Sequence, residues 1–230
     1  MRCIKEQTMK KLFKDWTKFE ISLLLISIIV VIMSGVFAKS NLLVIMSSIA
    51  GVSCALTQAK GKVISQFIGL AVVVLYSTVS FQNRYYGEVL IYIFLMLPLF
   101  VGGIISWIRN INTETDTVNK NELKSKEWII LSIISVIVFV VLYYLLKYFN
   151  TDQLFVSTLS MLTALFATYL VARRSKYGFL FYMGNDIILI VLWGIPILCG
   201  NFALIPMVCE PIINLINDTY GWRSWNKREN

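Results

Sequence analysis

The sequence predicts an all-α polytopic membrane protein with about eight transmembrane helices. Of its 230 residues, 57% are hydrophobic and only 15% are charged, which is too apolar for an ordinary soluble domain. The apolar residues form runs of about 20, the length that an α-helix needs to cross a bilayer. The basic residues lie in short segments between those runs. The net charge of +8 therefore indicates loops at the surface of a lipid bilayer and no nucleic-acid partner.

The predicted spans can be placed in chain order. A basic segment, residues 1–18, precedes an apolar run that is too long for the core of a signal peptide, so this run is predicted as the first transmembrane helix. Seven further runs follow, and residues 109–127 form the only polar linker of any length between them. The predicted spans cover residues 19–38, 42–59, 63–81, 88–107, 128–149, 154–172, 177–198 and 201–217.

The lysines and arginines predict the orientation of these spans. With eight spans, 18 of the 21 basic residues fall on one side of the membrane, and the other side receives only Lys39, Arg84 and Lys147. Positive residues concentrate in cytoplasmic loops, so this bias predicts that both termini are cytoplasmic. Seven spans would separate the two basic termini and remove the bias.

Two landmarks indicate an internal repeat. The pattern GxxSW occurs at Gly103–Trp107 and again at Gly221–Trp225, and basic segments precede both the third span (60–62) and the seventh (173–176). Two parallel three-helix repeats are therefore predicted, with the substrate site between them. The predicted organisation is a basic cytoplasmic tail with an extra first helix (1–41), a first repeat (42–108), a cytoplasmic linker with a connecting helix (109–153), a second repeat (154–218) and a cytoplasmic C-terminal tail (219–230).

Several kinds of enzyme are excluded by composition. The chain has no histidine, which rules out Ser-His-Asp and Cys-His catalytic sites and zinc sites that need imidazole. The four cysteines form no CxxC pair, and HExxH, GxSxG and P-loop motifs are absent. No cofactor or metal is predicted, and ATP-driven transport would need another chain.

The seventh predicted span carries the first candidate site. Phe179, Tyr182 and Asp186 share one helical face, and Asn185 lies beside Asp186. A carboxylate in a membrane helix costs about 2.5–3.5 kcal/mol at the bilayer centre and usually serves a pathway or a ligand. This pattern predicts a pocket for a flat, partly polar molecule. The two aromatic residues have a second interpretation, as interface or packing side chains.

Glu210 is the other carboxylate inside a predicted span. Pro206 and Pro211 flank it, and proline in a helix frees backbone carbonyl groups that need new partners. Two roles are open for this segment, a hinge in the eighth helix and a contact to the substrate.

Three amides and one tryptophan complete the candidate residues. Asn214 and Asn217 follow Glu210 on the same face, and Gln66 lies in the corresponding helix of the first half. The amides are either substrate contacts or partners in hydrogen bonds between helices. Trp222 is either an interface anchor or a further substrate contact.

Four stretches of the sequence together resemble the PnuC-type vitamin transporters. They are SSIAGVSCALTQAKGKVISQFIGL, YGEVLIYIFLMLPLFVGGIISW, RRSKYGFLFYMGNDI and IINLINDTYGWRSWNKRE. Members of this family are bacterial nicotinamide riboside carriers with a three-plus-one-plus-three helix fold related to the SWEET sugar facilitators. The resemblance covers roughly residues 42–228, which leaves the first span as an N-terminal addition.

The resemblance implies a function and a location. It implies uptake of nicotinamide riboside, an NAD precursor, by facilitated diffusion through a bacterial cytoplasmic (inner) membrane, with trapping by a cytoplasmic kinase, and it implies a homotrimer. The family motif Trp-x-x-Trp-x-x-x-Asn reads Phe179, Tyr182 and Asp186 here, so the spacing is kept while the three identities differ. Thiamine and deoxynucleosides remain alternative substrates. An intramembrane aspartyl-type enzyme using Asp186 and Glu210 is the alternative outside the transporters.

Overall fold

The computed structural model describes residues 15–228 and confirms the all-α prediction. The basic segment before Asp15 lies outside the described residues. The elements, in chain order, are α1 (Lys18–Phe37), α2 (Leu42–Ala59), α3 (Ile64–Gln82), α4 (Tyr86–Ile91), a π-helical segment (Tyr92–Met96), α5 (Leu97–Arg109), β1 (Ile111–Asn112), β2 (Thr117–Val118), α6 (Ser125–Tyr148), α7 (Leu154–Ala172), α8 (Tyr177–Leu198), a 3₁₀ turn (Phe202–Leu204) and α9 (Ile205–Lys227).

Seven helical segments in the described range are long and apolar enough to cross a membrane. They are α1, α2, α3, the continuous run Tyr86–Arg109, α6, α7 and α8. The remaining long helix, α9, is as long as the others but much more polar, because it contains residues such as Glu210, Asn214 and Asp218. These three side chains line a cavity inside the bundle and do not face lipid. It also continues to Lys227, past the predicted end at residue 217. Its last turns are packed into the bundle, where Trp225 is fully buried.

Proline explains the irregular fourth span. Pro98 has no amide hydrogen and its ring crowds the carbonyl group of the preceding turn. The preceding residues, Tyr92–Met96, form a single π-helical turn, a feature often found at functional sites. This turn buries the side chains of Tyr92 and Met96 in the bundle.

Six helices form a closed ring. Around the ring each helix contacts the next in the order α2, α3, α5, α7, α8, α9, and α9 returns to α2. The first three members come from the first predicted repeat and the last three from the second, so the order of contacts in one half recurs in the other. The helix α6 packs on α7 from outside, and α1 packs on α2 and α9 from outside.

The two ends of the bundle differ in charge. At one end, called the basic end, the segments 60–62, 118–121 and 173–176 meet through backbone hydrogen bonds from Val118 to Gly61 and from Asn121 to Arg174. Both ends of the described chain reach this end, since Asp15 pairs with Lys62 and Arg228 donates to the Lys60 carbonyl group. At the opposite end, Ser40 donates to Ala203 and Gln153 donates to Tyr85.

The two GxxSW patterns connect the halves of the ring at the basic end. Trp107, in the first half, donates its indole N–H to the Val171 carbonyl group at 2.8 Å. Trp225, in the second half, donates to the Ala59 carbonyl group at 3.0 Å. Both indoles are fully buried, with ring centroids 5.9 Å apart. The last helix of each half therefore caps the first helix of the other half.

The helix α1 is fixed to the ring by a buried carboxylate. Thr17 and Glu20 form a capping box at its N-terminus. Glu20 is only 1% exposed, pairs with Lys60 at 2.8 Å and accepts a hydrogen bond from the Tyr220 hydroxyl group. This contact joins α1 to both α2 and α9 at the basic end.

Candidate functional site

A cavity lies inside the six-helix ring. It has a volume of about 100 Å³. Its chemically distinctive lining is the carboxyl groups of Asp186, Glu210 and Asp218, the aromatic rings of Tyr76, Tyr92, Phe100 and Tyr182, the amides of Gln58, Asn185 and Asn214, and the hydroxyl group of Thr168.

The three carboxyl groups lie on two neighbouring helices. Asp186 on α8 and Asp218 on α9 are both 3% exposed, and their carboxyl groups face each other. Glu210, two turns before Asp218, occupies space that is open because residue 51 is glycine. No lysine or arginine is among the cavity-lining residues of the described chain. The cavity therefore presents acidic groups to a ligand without a basic side chain to neutralise them.

The aromatic rings come from both halves of the ring. Tyr76 and Tyr92 are stacked, with ring centroids 4.6 Å apart and planes inclined by 21°. On the other half, the Tyr182 hydroxyl group lies 2.9 Å from that of Thr168, which fixes the orientation of the phenol. A flat ring bound in this cavity thus meets aromatic surface from α3, the π-helical turn and α8.

Two buried acceptors in the cavity have no partner. Oδ2 of Asp186 and Oδ1 of Asn214 accept no hydrogen bond from any residue in the described range. In contrast, Oδ1 of Asn185 accepts from Thr163 at 3.0 Å and from Ser160 at 3.3 Å. Buried polar groups are normally hydrogen-bonded, so the free acceptors are suited to the donor groups of a polar ligand.

The structure brings five of the nine sequence-predicted site residues together at this cavity. These residues are Tyr182, Asn185, Asp186, Glu210 and Asn214. They lie on the neighbouring helices α8 and α9. The carboxyl group that faces Asp186 is Asp218, whereas the aspartyl-type alternative had paired Asp186 with Glu210.

Phe179 and Trp222 do not line the cavity. Phe179 is fully buried one turn closer to the basic end, where its ring packs 5.3 Å from that of Trp225. Trp222 lies near the end of α9 with Lys176 above its ring, 5.5 Å from the centroid. Of the two aromatic residues predicted to share a face of α8, only Tyr182 lines the cavity. Phe179 packs against other side chains at the basic end.

Gln66 and Asn217 are also outside the cavity. Gln66 is buried against Gly103, whose missing side chain leaves room for the amide. Asn217 is fully buried between helices. Asn214 and Asp218, four residues apart on α9, line the cavity. Asn217 lies on a different face of the helix and is buried against neighbouring residues.

Six of the lining residues named above, Phe100 among them, were absent from the sequence prediction. Asp218 continues the spacing of four residues from Asn214, but it fell just past the predicted end of the span. Gln58 also lies near a predicted span end. Tyr76, Tyr92 and Thr168 carry no charge and lie in apolar runs. They can be identified as site residues only from their proximity to one another in the folded structure. That proximity involves residues far apart in the sequence and has no local signal.

Comparison with known proteins agrees with this architecture. The family model described as nicotinamide mononucleotide transporter matches residues 41–227. The chain is 23% identical over 222 residues to the nicotinamide riboside transporter PnuC of Neisseria mucosa, a match covering 95% of this chain and 84% of the relative. It is 24% identical over 217 residues to the PnuC of Haemophilus influenzae, covering 94% of each.

A solved structure shares the fold. The crystal structure of the vitamin B3 transporter PnuC matches with a TM-score of 0.83 and 23% sequence identity, over 95% of each chain. Together with the family match over most of the sequence, this shows that the chain belongs to the nicotinamide mononucleotide transporter family, a family of membrane transporters and not of enzymes.

Proposed function

We propose that the chain carries nicotinamide riboside across a bacterial cytoplasmic membrane. The observation that supports this substrate best is the combination of three carboxyl groups and stacked tyrosines in a cavity without a basic lining residue. Nicotinamide riboside joins a positively charged pyridinium ring to a neutral ribose. Aromatic faces attract cationic rings, and carboxylates attract positive charge in a medium of low dielectric constant.

The same chemistry disfavours the mononucleotide. Its phosphate group would add negative charge beside Asp186, Glu210 and Asp218. Phosphate sites in proteins use arginine, lysine or helix N-termini, and the cavity lining described above has no basic side chain. An ionised carboxylate repels phosphate, so the riboside fits this cavity better than its phosphorylated form.

The ribose also finds suitable partners. Its hydroxyl groups are hydrogen-bond donors, and the free oxygens of Asp186 and Asn214 are buried acceptors. A hydrogen bond to a charged group is worth roughly 1.5–3 kcal/mol. Asp186 stands where the resembled family has asparagine. A carboxylate attracts a cation more strongly than an amide does, so we assign to Asp186 the contact with the positively charged ring.

Transport proceeds by facilitated diffusion in this proposal. The chain has no P-loop, and phosphorylation by a cytoplasmic kinase would keep the substrate inside. The basic end is then the cytoplasmic end, with both termini there, in keeping with the distribution of 18 of 21 basic residues. As the family resemblance implies, the working unit is a homotrimer.

Thiamine is the second candidate substrate. It also carries a cationic ring, so the carboxyl groups do not distinguish it from nicotinamide riboside. Phe179, Tyr182 and Asp186 differ from the family motif, and these differences are compatible with thiamine as the substrate in place of nicotinamide riboside. A neutral deoxynucleoside lacks the charge and is disfavoured by the same reasoning.

Purified protein tests the proposal in two steps. Calorimetry with nicotinamide riboside, its mononucleotide, thiamine and a deoxynucleoside measures the order of affinities, and uptake into ATP-free proteoliposomes shows transport. We expect the riboside to bind at least about tenfold more tightly than the mononucleotide. Asp218→Asn should weaken that binding, whereas Glu127→Gln, at the outer helix α6 and paired with Arg173, should not. Tighter binding of the mononucleotide would refute the proposal.

A further inference from the structure

Another, larger cavity lies outside the ring, between the outer helix α6 and the helices α5 and α7. It has a volume of about 630 Å³, within the range usual for small-molecule sites. Its walls are apolar side chains of the π-helical turn and the three helices, such as Leu95, Pro98, Ile134 and Phe166. Among its lining residues in the described chain, Glu127 is the only charged one. We call this cavity the lateral groove.

The lateral groove lies between two attachments of α6 to the bundle. The structure describes α6 in full, and its buried residues are Leu142 and Leu146, both in the half away from the basic end. At the basic end, Arg173 of the loop after α7 donates to the Glu127 carboxylate at 2.7 Å. The groove occupies the space between these two attachments, so it has a definite length and a closed far end.

That length corresponds to one leaflet of a bilayer. Along α6 the lining residues run from Glu127 to Val138, which is about 16.5 Å at the helical rise of 1.5 Å per residue. The hydrocarbon core of a bilayer is about 30 Å thick, so the groove extends from the basic end to about the middle of the membrane. Folded proteins leave few voids larger than a water molecule. An acyl chain of the surrounding leaflet has the length and the apolar surface to fill this one.

The charges at the entrance of the groove fit a negatively charged headgroup. Both carboxylate oxygens of Glu127 already have partners, since Oε1 accepts from Arg173 and Oε2 accepts from the Lys124 backbone N–H at 2.9 Å. The Arg173 side chain is 42% exposed, and its guanidinium group has further N–H donors suited to a phosphate group. Basic residues outnumber acidic ones in the segments 122–127 and 173–174, which contain Lys124, Lys126, Arg173 and Arg174 against Glu122 and Glu127.

We propose that the lateral groove binds an anionic phospholipid of the leaflet at the basic end, with one acyl chain in the groove and the phosphate group at Arg173. The chain packs against Leu95 and Pro98. Tyr92 and Met96, in the same π-helical turn as Leu95, line the central cavity. The lipid therefore supports the wall between the bilayer and that cavity. A ligand that binds only the folded state also stabilises it.

The headgroup contact is tested with two lipids that have the same acyl chains. Protein washed free of lipid in detergent is mixed with equal amounts of dioleoyl phosphatidylglycerol, which is anionic, and dioleoyl phosphatidylcholine, which is zwitterionic. Native mass spectrometry counts the lipids bound per subunit. We expect the parent protein to retain phosphatidylglycerol preferentially and to unfold at a higher temperature with it. Arg173→Gln should reduce this preference by about fivefold, the effect of one basic residue at a membrane surface.

Glu127→Gln is the matched control for the headgroup contact. It breaks the same ion pair as Arg173→Gln but keeps the guanidinium group and removes a negative charge. The preference for phosphatidylglycerol should therefore be kept or increased. A general loss of structure at this end of α6 would instead affect both variants alike.

A second pair of variants tests the position of the acyl chain. Ile134 lines the groove and is 42% exposed, so Ile134→Trp should fill the groove without disturbing the core. We expect it to remove one bound lipid per subunit, whichever of the two lipids is offered. Val136 is 66% exposed on α6 and is not a groove-lining residue, so Val136→Trp should leave the number unchanged. Thermal unfolding identifies variants that fail to fold, and if Ile134→Trp is one of them, the Arg173 and Glu127 variants decide.

Several results would overturn the proposed lipid site. They are equal retention of the two lipids by the parent, equal effects of Arg173→Gln and Glu127→Gln on the preference, and an unchanged number of bound lipids in folded Ile134→Trp. If Ile134→Trp dissociates an oligomer and leaves the number of bound lipids unchanged, the groove is a contact between copies of the chain and the proposal is wrong. No measurement here uses nicotinamide riboside, so failure of the lipid site is separate from failure of the proposed function.

Discussion

Replacing Gly51 by alanine tests how closely Glu210 is fitted to the cavity wall. A Cβ atom at residue 51 would lie 1.7 Å from Oε1 of Glu210 and 2.5 Å from its Cδ. Ordinary van der Waals contact begins at 3.4 Å. The nearer oxygen would therefore have to withdraw by the difference, 1.7 Å, which is enough to remove it from its present place in the cavity.

The expected cost follows from two opposing effects. Overpacking of this kind costs about 1–3 kcal/mol, while replacing a glycine inside a helix by alanine gains up to about 1 kcal/mol. We expect Gly51→Ala to lower the free energy of unfolding by about 1–2 kcal/mol and to weaken binding of nicotinamide riboside. In a Glu210→Ala background no carboxyl group has to move, so the same change should be neutral or stabilising.

Thermal unfolding and calorimetry in detergent measure both effects. Gly102→Ala is the matched control, because a Cβ atom at Gly102 meets nothing within 4 Å. The reasoning is refuted if Gly51→Ala has the same effect in the presence and absence of the Glu210 side chain. It is also refuted if Gly51→Ala behaves like the Gly102 variant.

Four further substitutions address the site, the connection between the halves of the ring and the first helix. Asp186→Asn should weaken binding of nicotinamide riboside by about 10- to 100-fold, because it removes a charge-assisted contact, and calorimetry should find binding of a neutral nucleoside almost unchanged. Trp107→Phe should lower the free energy of unfolding by about 1–3 kcal/mol through the lost indole bond, and Trp225→Phe should cost less, since Arg228 also donates to the Ala59 carbonyl group. Glu20→Gln should lower thermal stability by breaking the pair with Lys60 while leaving the selectivity for ligands intact.

Different results would contradict each of these expectations. Unchanged affinity of Asp186→Asn for every ligand that the parent binds would make Asp186 a structural residue. A larger loss of stability for Trp225→Phe than for Trp107→Phe would show that the Arg228 contact does not compensate. Altered ligand selectivity in Glu20→Gln would mean that α1 influences the cavity.

Helix positions were predictable from sequence because the signal is local. The span over residues 42–59 has the same bounds in the structure as in the prediction, since a run of apolar residues flanked by Asn41 and Lys60 contains all the information required. The end of α9 was missed because Gly221 and Tyr220 suggest an exposed tail unless the packing of Trp225 is known.

The cavity was predictable only where a charge revealed it. Asp186 and Glu210 were found because carboxylates are rare in membrane helices. Tyr76 and Tyr92 were not, since tyrosine is common in apolar spans and their stacking depends on the π-helical turn before Pro98. Phe179 was assigned to the same face as Tyr182, yet one helical turn was enough to place it in the packing at the basic end.

The crossed indole bonds have a consequence for biosynthesis. The bond from Trp225 to the Ala59 carbonyl group joins residues 166 positions apart, whereas the bond from Trp107 to Val171 joins residues 64 apart. During synthesis the bond from Trp107 to Val171 can form as soon as α7 is inserted. The bond from Trp225 must wait for the last turn of α9, so the first helix of the ring, α2, remains uncapped until residue 225 has been synthesised. A chain truncated just before Trp225 would thus contain all of the spans and still lack the contact that closes the ring.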